Sequence, residues 1–257
     1  MHKKFFILSL MECPDCGLRF RFPKDDATVA EYYDTSYSED YPDHRPPSPD
    51  AIDQLTRGGV LDHPANNYAK YNKVLEAIGL KRGDTVLDFG CSWGYGSWQM
   101  RQAGFKVYSM EISRPRAEYA RTSMGCTMVE DTSQIPEPVN CFFSSHVIEH
   151  LPDPSLIWRE AERALRPDGR MVIFCPNGEP GREAVIGRRR YDYLWPQVHP
   201  MVITPKFMRG VSEAHAFEAD FYSDPYDLAA IASSATVSNL FGDELLLIAQ
   251  RHVGLPA

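Results

Sequence analysis

The run Val86-Leu87-Asp88-Phe89-Gly90-Cys91-Ser92-Trp93-Gly94-Tyr95-Gly96 joins an apolar stretch to three glycines at the start of a helical pattern. A strand that feeds a glycine-rich turn and a helix N-terminus lets a ligand come close to the backbone. The glycines stand at positions 90, 94 and 96, which is not the dinucleotide spacing, and Asp88 puts a negative charge where a pyrophosphate would sit. An acid there suits an amine or a sulfonium. Glu111, about twenty residues after the first glycine, suits the two hydroxyls of a ribose. Glu130-Asp131-Thr132 follows a further apolar stretch, and an acid there can accept from the exocyclic amine of adenine. The chemistry is that of an adenine-containing ligand that also carries positive charge.

Alternating strands and helices must bring these residues to one edge. Apolar runs and breakers predict strands over residues 85–89, 106–111, 127–129, 141–145, 170–175 and 244–250. Helices are predicted over 67–78, 94–103 and 115–123, the first with Tyr71, Val74, Leu75 and Ile78 on one face. Another follows Asp153, taken as its N-cap with Pro154 in the first turn. It has Ile157, Ala161, Ala164 and Leu165 on its apolar face and ends at Pro167-Asp168-Gly169. This order predicts a parallel sheet covered by helices on both faces. Residues 1–50 read as a separate knuckle and linker, and 51–257 as the main domain.

Composition sets further bounds. The chain has 257 residues, 43% of them hydrophobic, which is ample for a packed core. A net charge of -8 argues against nucleic acid as the main partner. There is no run of eighteen apolar residues, so no membrane span is expected. The six cysteines are scattered apart from one close pair, which suits a reducing cytoplasm.

Residues 86–96, Glu111, Asp131 and the string Phe143-Ser144-Ser145-His146-Val147-Ile148-Glu149-His150-Leu151-Pro152-Asp153-Pro154 together resemble the class I S-adenosylmethionine-dependent methyltransferases. Arg166-Pro167-Asp168-Gly169-Arg170, leading into residues 171–176, is similar to that family's approach to its fifth strand. The resemblance implies a Rossmann-like three-layer α/β sandwich, with seven mostly parallel strands and an antiparallel last strand, into which 244–250 fits. It implies S-adenosylmethionine as cofactor. Asp88, Gly90, Cys91, Ser92, Gly94 and Gly96 would hold the methionine part, Glu111 and Ile112 the ribose side, and Asp131 with Thr132 the adenine. Ser145 and His146 would face the methionine moiety and the methyl group. Ser92 departs from the pattern, since the family often has glycine there, and altered loop contacts without loss of binding are expected.

Other features compete for a role. His146-x-x-Glu149-His150 matches an inverted zinc-protease spacing, but that motif needs both histidines on one helical face and His146 falls at a strand end. Cys13-x-x-Cys16 resembles one knuckle of a zinc ribbon. Tetrahedral zinc needs four ligands, and with one pair present the set is incomplete, which argues against bound zinc. The segment 178–205 leaves the carboxyl edge of the fifth strand and holds Arg182, Arg188, Arg189, Arg190, Tyr191, Tyr193, Trp195 and His199. Its arginines suit a phosphate or carboxylate, and its aromatics suit a sugar or ring. His199 or His146 would take a proton from an oxygen acceptor. The expected activity is methyl transfer to a small molecule such as a saccharide or related metabolite. The alternatives are a non-catalytic adenosylmethionine-fold subunit and a nicotinamide oxidoreductase, which Asp88 and the glycine spacing disfavour.

Overall fold

The computed structural model describes residues 2–4, 8–22, 46, 48–57, 67–187 and 199–251. The chain opens with strands β1 (His2–Lys4), β2 (Leu8–Glu12) and β3 (Arg19–Phe22), then helices α1 (Pro49–Thr56) and α2 (Ala69–Ala77). Alternation follows: β4 (Thr85–Phe89), α3 (Tyr95–Ala103), β5 (Lys106–Met110), α4 (Arg114–Thr122), β6 (Thr127–Met128), β7 (Val139–Ser145), α5 (Leu156–Ala164) and β8 (Leu165–Pro176). The last part holds α6 (Pro180–Ile186), β9 (Met201–Val202), α7 (Pro205–Ala214), β10 (Phe217–Ser223), α8 (Leu228–Ala232) and β11 (Glu244–Arg251).

The main sheet has seven strands in the order β10-β11-β8-β7-β4-β5-β6. Strands β4 to β8 pair in parallel, while β11 runs antiparallel to both β8 and β10. This is the three-layer Rossmann-like arrangement, with the reversed last strand wedged between its neighbours. The central strands are apolar almost throughout because both faces are covered. Successive residues therefore divide between two cores. Leu87, Phe142, Ile173 and Leu247 face one core with Ile157 and Trp158 of α5. Val86, Phe143, Val172 and Leu246 face the other with Tyr71, Val74 and Leu75 of α2.

Helix boundaries follow local chemistry. Gly94 and Gly104, at φ +88° and +104°, flank α3, as the glycine positions predict. Asp153 is not the N-cap of α5. Ser155 holds that place, and the Asp153 carboxylate accepts from the Ser155 N–H one turn earlier, at 3.0 Å. The helix stops at Ala164, because Leu165 is already extended and pairs with Val139. The strand after it thus begins five residues before Arg170, and Pro167-Asp168-Gly169 lies within it.

The N-terminal hairpin forms a second sheet, of four strands in the order β1-β2-β3-β9. Its strand β3 pairs with β9 through Arg19–Val202 and Phe20–Met201. Cys16, Leu18 and Phe20 pack on the larger core. The turn between β2 and β3 sits on the start of α7. There the Thr204 hydroxyl donates to Gly17 O at 3.1 Å, and the Lys206 ammonium to Pro14 O at 3.1 Å. Most of the linker, 25–50, lies outside the described residues.

Trp158 is fully buried, and its indole N–H donates to Ser212 Oγ of α7 at 3.0 Å. Ser212→Ala leaves that donor unpaired and is expected to cost about 1–3 kcal/mol in urea unfolding. Adding Trp158→Phe to Ser212→Ala should not add the full single-variant losses; strictly additive losses would show that the bond carries no coupling.

Candidate active site

The carboxyl ends of β4, β5, β7 and β8 meet at one edge of the main sheet, and the predicted site residues gather there. Asp88 closes β4 and is 2% exposed. Its carboxylate accepts from the Ser97 hydroxyl at 2.6 Å, and Ser97 Oγ lies 2.8 Å from Ser109 Oγ. Burial pushes the Asp88 carboxyl up to about 7, the Ser97 bond opposes the rise, and nearby Glu111 adds to it.

Gly90 and Gly94 both have positive φ, at +87° and +88°. Each is also pressed by protein. A Cβ on Gly90 would lie 2.3 Å from Val147 Cγ2, and one on Gly94 2.8 Å from Cys126 Sγ. Gly96 opens α3, where a Cβ would meet Tyr68 Cε1 at 2.2 Å. Ser92 has φ +51°, which explains why glycine is common at this place in the family. Its N–H donates to Glu111 Oε2 at 2.9 Å, while Ser113 N–H donates to Oε1 at 2.8 Å. Glu111 thereby ties the glycine turn to the start of α4. A carboxylate accepts at about four lone-pair positions, so capacity remains for a ligand's hydroxyls. Beside it Ile112 is 97% exposed, an apolar side chain with no protein surface to cover. Cys91 is buried with its thiol pushed up, by burial first and then by Asp88.

Asp131 is exposed and caps the short 3-10 turn Thr132–Gln134, accepting from Ser133 N–H at 2.8 Å. The bonds from Ser133 lower its carboxyl. Thr132 is buried, with its hydroxyl 3.4 Å from Glu160 Oε2. Its side chain therefore turns toward α5, and its exposed neighbour Asp131 faces outward.

Ser145 ends β7 beside the hydroxyls of Tyr68 and Tyr71. His146 follows at φ +56°, with its N–H donating to Phe174 O at 2.9 Å. Its Nε2 lies 2.8 Å from Glu244 Oε1 and its Nδ1 3.4 Å from Glu149 Oε1. Burial alone would lower this histidine, but its two carboxylate partners outweigh burial and hold it up at about 10. That shift favours its imidazolium form at this edge.

Sequence reasoning did not single out Glu244. It is 6% exposed and begins β11. Tyr71 OH (2.6 Å) and His146 Nε2 (2.8 Å) meet Oε1, while Lys70 Nζ (2.8 Å) and Tyr226 OH (2.6 Å) meet Oε2. Burial would raise its carboxyl, but His146 and Lys70 hold it at about 2. A glutamate opening the otherwise apolar strand Glu244-Leu245-Leu246-Leu247-Ile248 was the available signal.

His199 lies just before β9, and its ring is 4.6 Å from that of His150, edge to face. Arg182 is buried and bonded within the protein. Its guanidinium donates to Asn177 O at 3.1 Å and Phe241 O at 3.3 Å, and pairs with Asp243. Arg188, Arg189, Arg190, Tyr191, Tyr193 and Trp195 lie outside the described residues. Cys13 and Cys16 are reduced and adjacent. Hydrogen bonds from Cys16 lower the Cys13 thiol, and burial raises that of Cys16. Among the described residues no third histidine, cysteine or acid joins them as a metal ligand.

Residues 87–173 match the family model of the methyltransferase domain. Methyltransferase GfsG of Streptomyces halstedii is 30% identical over 139 residues, 49% of this chain and 47% of that protein. Ubiquinone biosynthesis O-methyltransferase of Proteus mirabilis is 28% identical over 43% of this chain and 49% of its own length. The chain thus spans about half the length of these curated relatives. Among solved structures, magnesium protoporphyrin IX methyltransferase of Synechocystis with bound SAH superposes at a TM-score of 0.56 and 16% identity, over 88% of this chain and 100% of that one. The [4+2]-cyclase SpnF superposes at 0.53 and 17% identity, over 76% and 84%. Residues 87–173 are thus a methyltransferase domain, set in the fold of the S-adenosylmethionine-dependent methyltransferases. No helix among the described residues is long and apolar enough to cross a membrane.

The raised Asp88 carboxyl has a consequence for stability. Its ordinary value is near 3.8 and its folded value about 7, so between these pH values the folded chain binds the extra proton. Stability falls as pH rises through that window, by on the order of 4 kcal/mol once the group is fully ionised. Asp88→Asn is therefore expected to gain more in Tm over wild type at pH 8 than at pH 5, without cofactor. An equal difference at both pH values would reject the assignment.

Proposed function

We propose that the protein is an S-adenosylmethionine-dependent methyltransferase acting on a small molecule, with a saccharide or related metabolite as the acceptor class. The observation that carries the reading is Glu111. Its carboxylate is fixed by two backbone N–H groups, keeps free acceptor capacity, and stands next to a 97% exposed Ile112. That pairing suits a ribose on one side and a flat apolar base on the other. Asp131, exposed and ionised, suits the exocyclic amine of adenine. Asp88, its bonded partner Ser97 and the turn 90–96 would hold the amino-acid end.

When bound, S-adenosylmethionine supplies an electrophilic methyl group on a sulfonium. The chain must place the acceptor in line with it and exclude water. Ser145 and His146 lie at the edge where the acceptor would approach. His199 or His146 would assist loss of an acceptor proton, His199 being favoured because two carboxylates hold His146 toward its charged form. The ubiquinone O-methyltransferases among the relatives support a small-molecule oxygen acceptor.

Ile112→Asp separates binding from folding. With the side chain in solvent, stability should change by no more than about 0.5 kcal/mol. Calorimetric affinity for S-adenosylmethionine should fall about tenfold or more, and Glu111→Ala should do the same. Unchanged affinity in both variants would remove the cofactor assignment.

A further inference from the structure

Glu149 is 1% exposed on the 3-10 turn Ile148–His150, and neither carboxylate oxygen has a hydrogen bond of ordinary geometry. An ionised group removed from water needs a close partner, or it stays neutral. The ring nitrogens His146 Nδ1, at 3.4 Å, and His150 Nε2, at 3.8 Å, face Oε1 without forming a hydrogen bond to it. One ligand atom from each of Glu149, His150 and His199 lies within 4.8 Å of the other two.

We propose that Glu149, His150 and His199 form a binding site for a divalent first-row transition cation of the Zn2+ type. One carboxylate and two imidazoles match the preference of such ions, whereas Mg2+ and Ca2+ favour oxygen-only sets. The site is assembled from two distant segments held in place independently. Glu149 and His150 share the turn after β7. His199 is delivered by the N-terminal hairpin, where Arg21 N–H donates to Pro200 O at 2.8 Å and β3 pairs with β9. His146 stands between Glu149 and Glu244 and orients the carboxylate from behind. Three protein ligands leave a coordination position open, which marks a site that receives an outside ligand in contrast to a closed structural one. An acceptor oxygen filling that position rests on the methyltransferase reading; cation binding does not. In the cation-loaded protein His199 is a ligand, so the proton-removing role proposed above belongs to the cation-free protein.

The test is titration of metal-stripped protein with Co2+, followed by visible absorption, with Zn2+ competition. Wild type and a Cys13→Ser/Cys16→Ser variant should both bind one Co2+ per chain, with ligand-field bands and no thiolate charge-transfer band. Glu149→Gln and His199→Ala should each weaken binding about 100-fold or more, while His215→Ala, at a separate His–Glu pair, should not. His199 is only half-buried and lies outside any helix or strand, so its variant remains informative if Glu149→Gln misfolds by near-ultraviolet circular dichroism. No saturable Co2+ or Zn2+ binding overturns the site. So does binding that survives His199→Ala undiminished, or binding that vanishes in the cysteine variant. Because no cofactor or acceptor enters the titration, failure of the metal site is distinguishable from failure of the methyltransferase reading, which the calorimetry above decides.

Discussion

A carboxylate out of reach of water at the carboxyl edge of the sheet must be met by donors, and Glu244 is met by four. Lys70 and Tyr71 come from α2, His146 from the end of β7, and Tyr226 from the segment before α8. Withdrawing one partner from such a charge typically costs 3–5 kcal/mol, far more than a surface ion pair is worth. The placement of these elements is therefore tied to one side chain. Helix α2 is held across the edge, His146 is kept protonated at positive φ, and the last strand is fixed in register where it enters the sheet. The same histidine reaches toward Glu149, so the two buried acids share one cation.

Holding α2 there places Tyr68 against the start of α3, and this accounts for Gly96. The glycine motif reads in sequence as room for a ligand. In the structure each of its three glycines is needed by the protein itself, against Val147, against Cys126 and Ala120, and against the Tyr68 ring. Ligand approach is a second use of a turn that packing already demands. The motif is more specific for this reason, since it encodes the neighbours of the turn as well as its shape.

What was legible in the chain was local. Strand β4 falls where its apolar run predicts, and α3 ends at its glycine. The antiparallel place of 244–250 follows from the family resemblance and is where β11 lies. Two strands, β9 and β10, were not predicted. The first has two residues and exists because β3 offers it an edge; the second alternates apolar and acidic residues from Phe217 to Phe221, a short period-2 pattern that was legible. The site divides in the same way. Asp88, Glu111 and Asp131 each follow a strand end and were visible from spacing. Glu244 and the meeting of His199 with Glu149 depend on partners 98 and 50 positions distant along the chain, which no periodicity records.

This division explains why the donor side can be read and the acceptor side cannot. The donor side is built by consecutive βα units, whose turns carry their chemistry in a few adjacent residues. The acceptor side is built by a segment that leaves β8, is buttressed by Arg182 and Asn177 against residues 240–243, and returns as β9. The hairpin helps to hold that return in place, Thr204 on Gly17 and Arg21 on Pro200, together with Gly178 N–H on Ile203 O. The knuckle at Cys13 therefore need hold no metal to matter, because its turn sits on the first turn of α7 while β3, which follows it, is bonded to Pro200 beside His199. A fold shared by many reactions leaves the choice among them to such attachments. Here the attachment enters the sheet edge from the opposite end of the sequence.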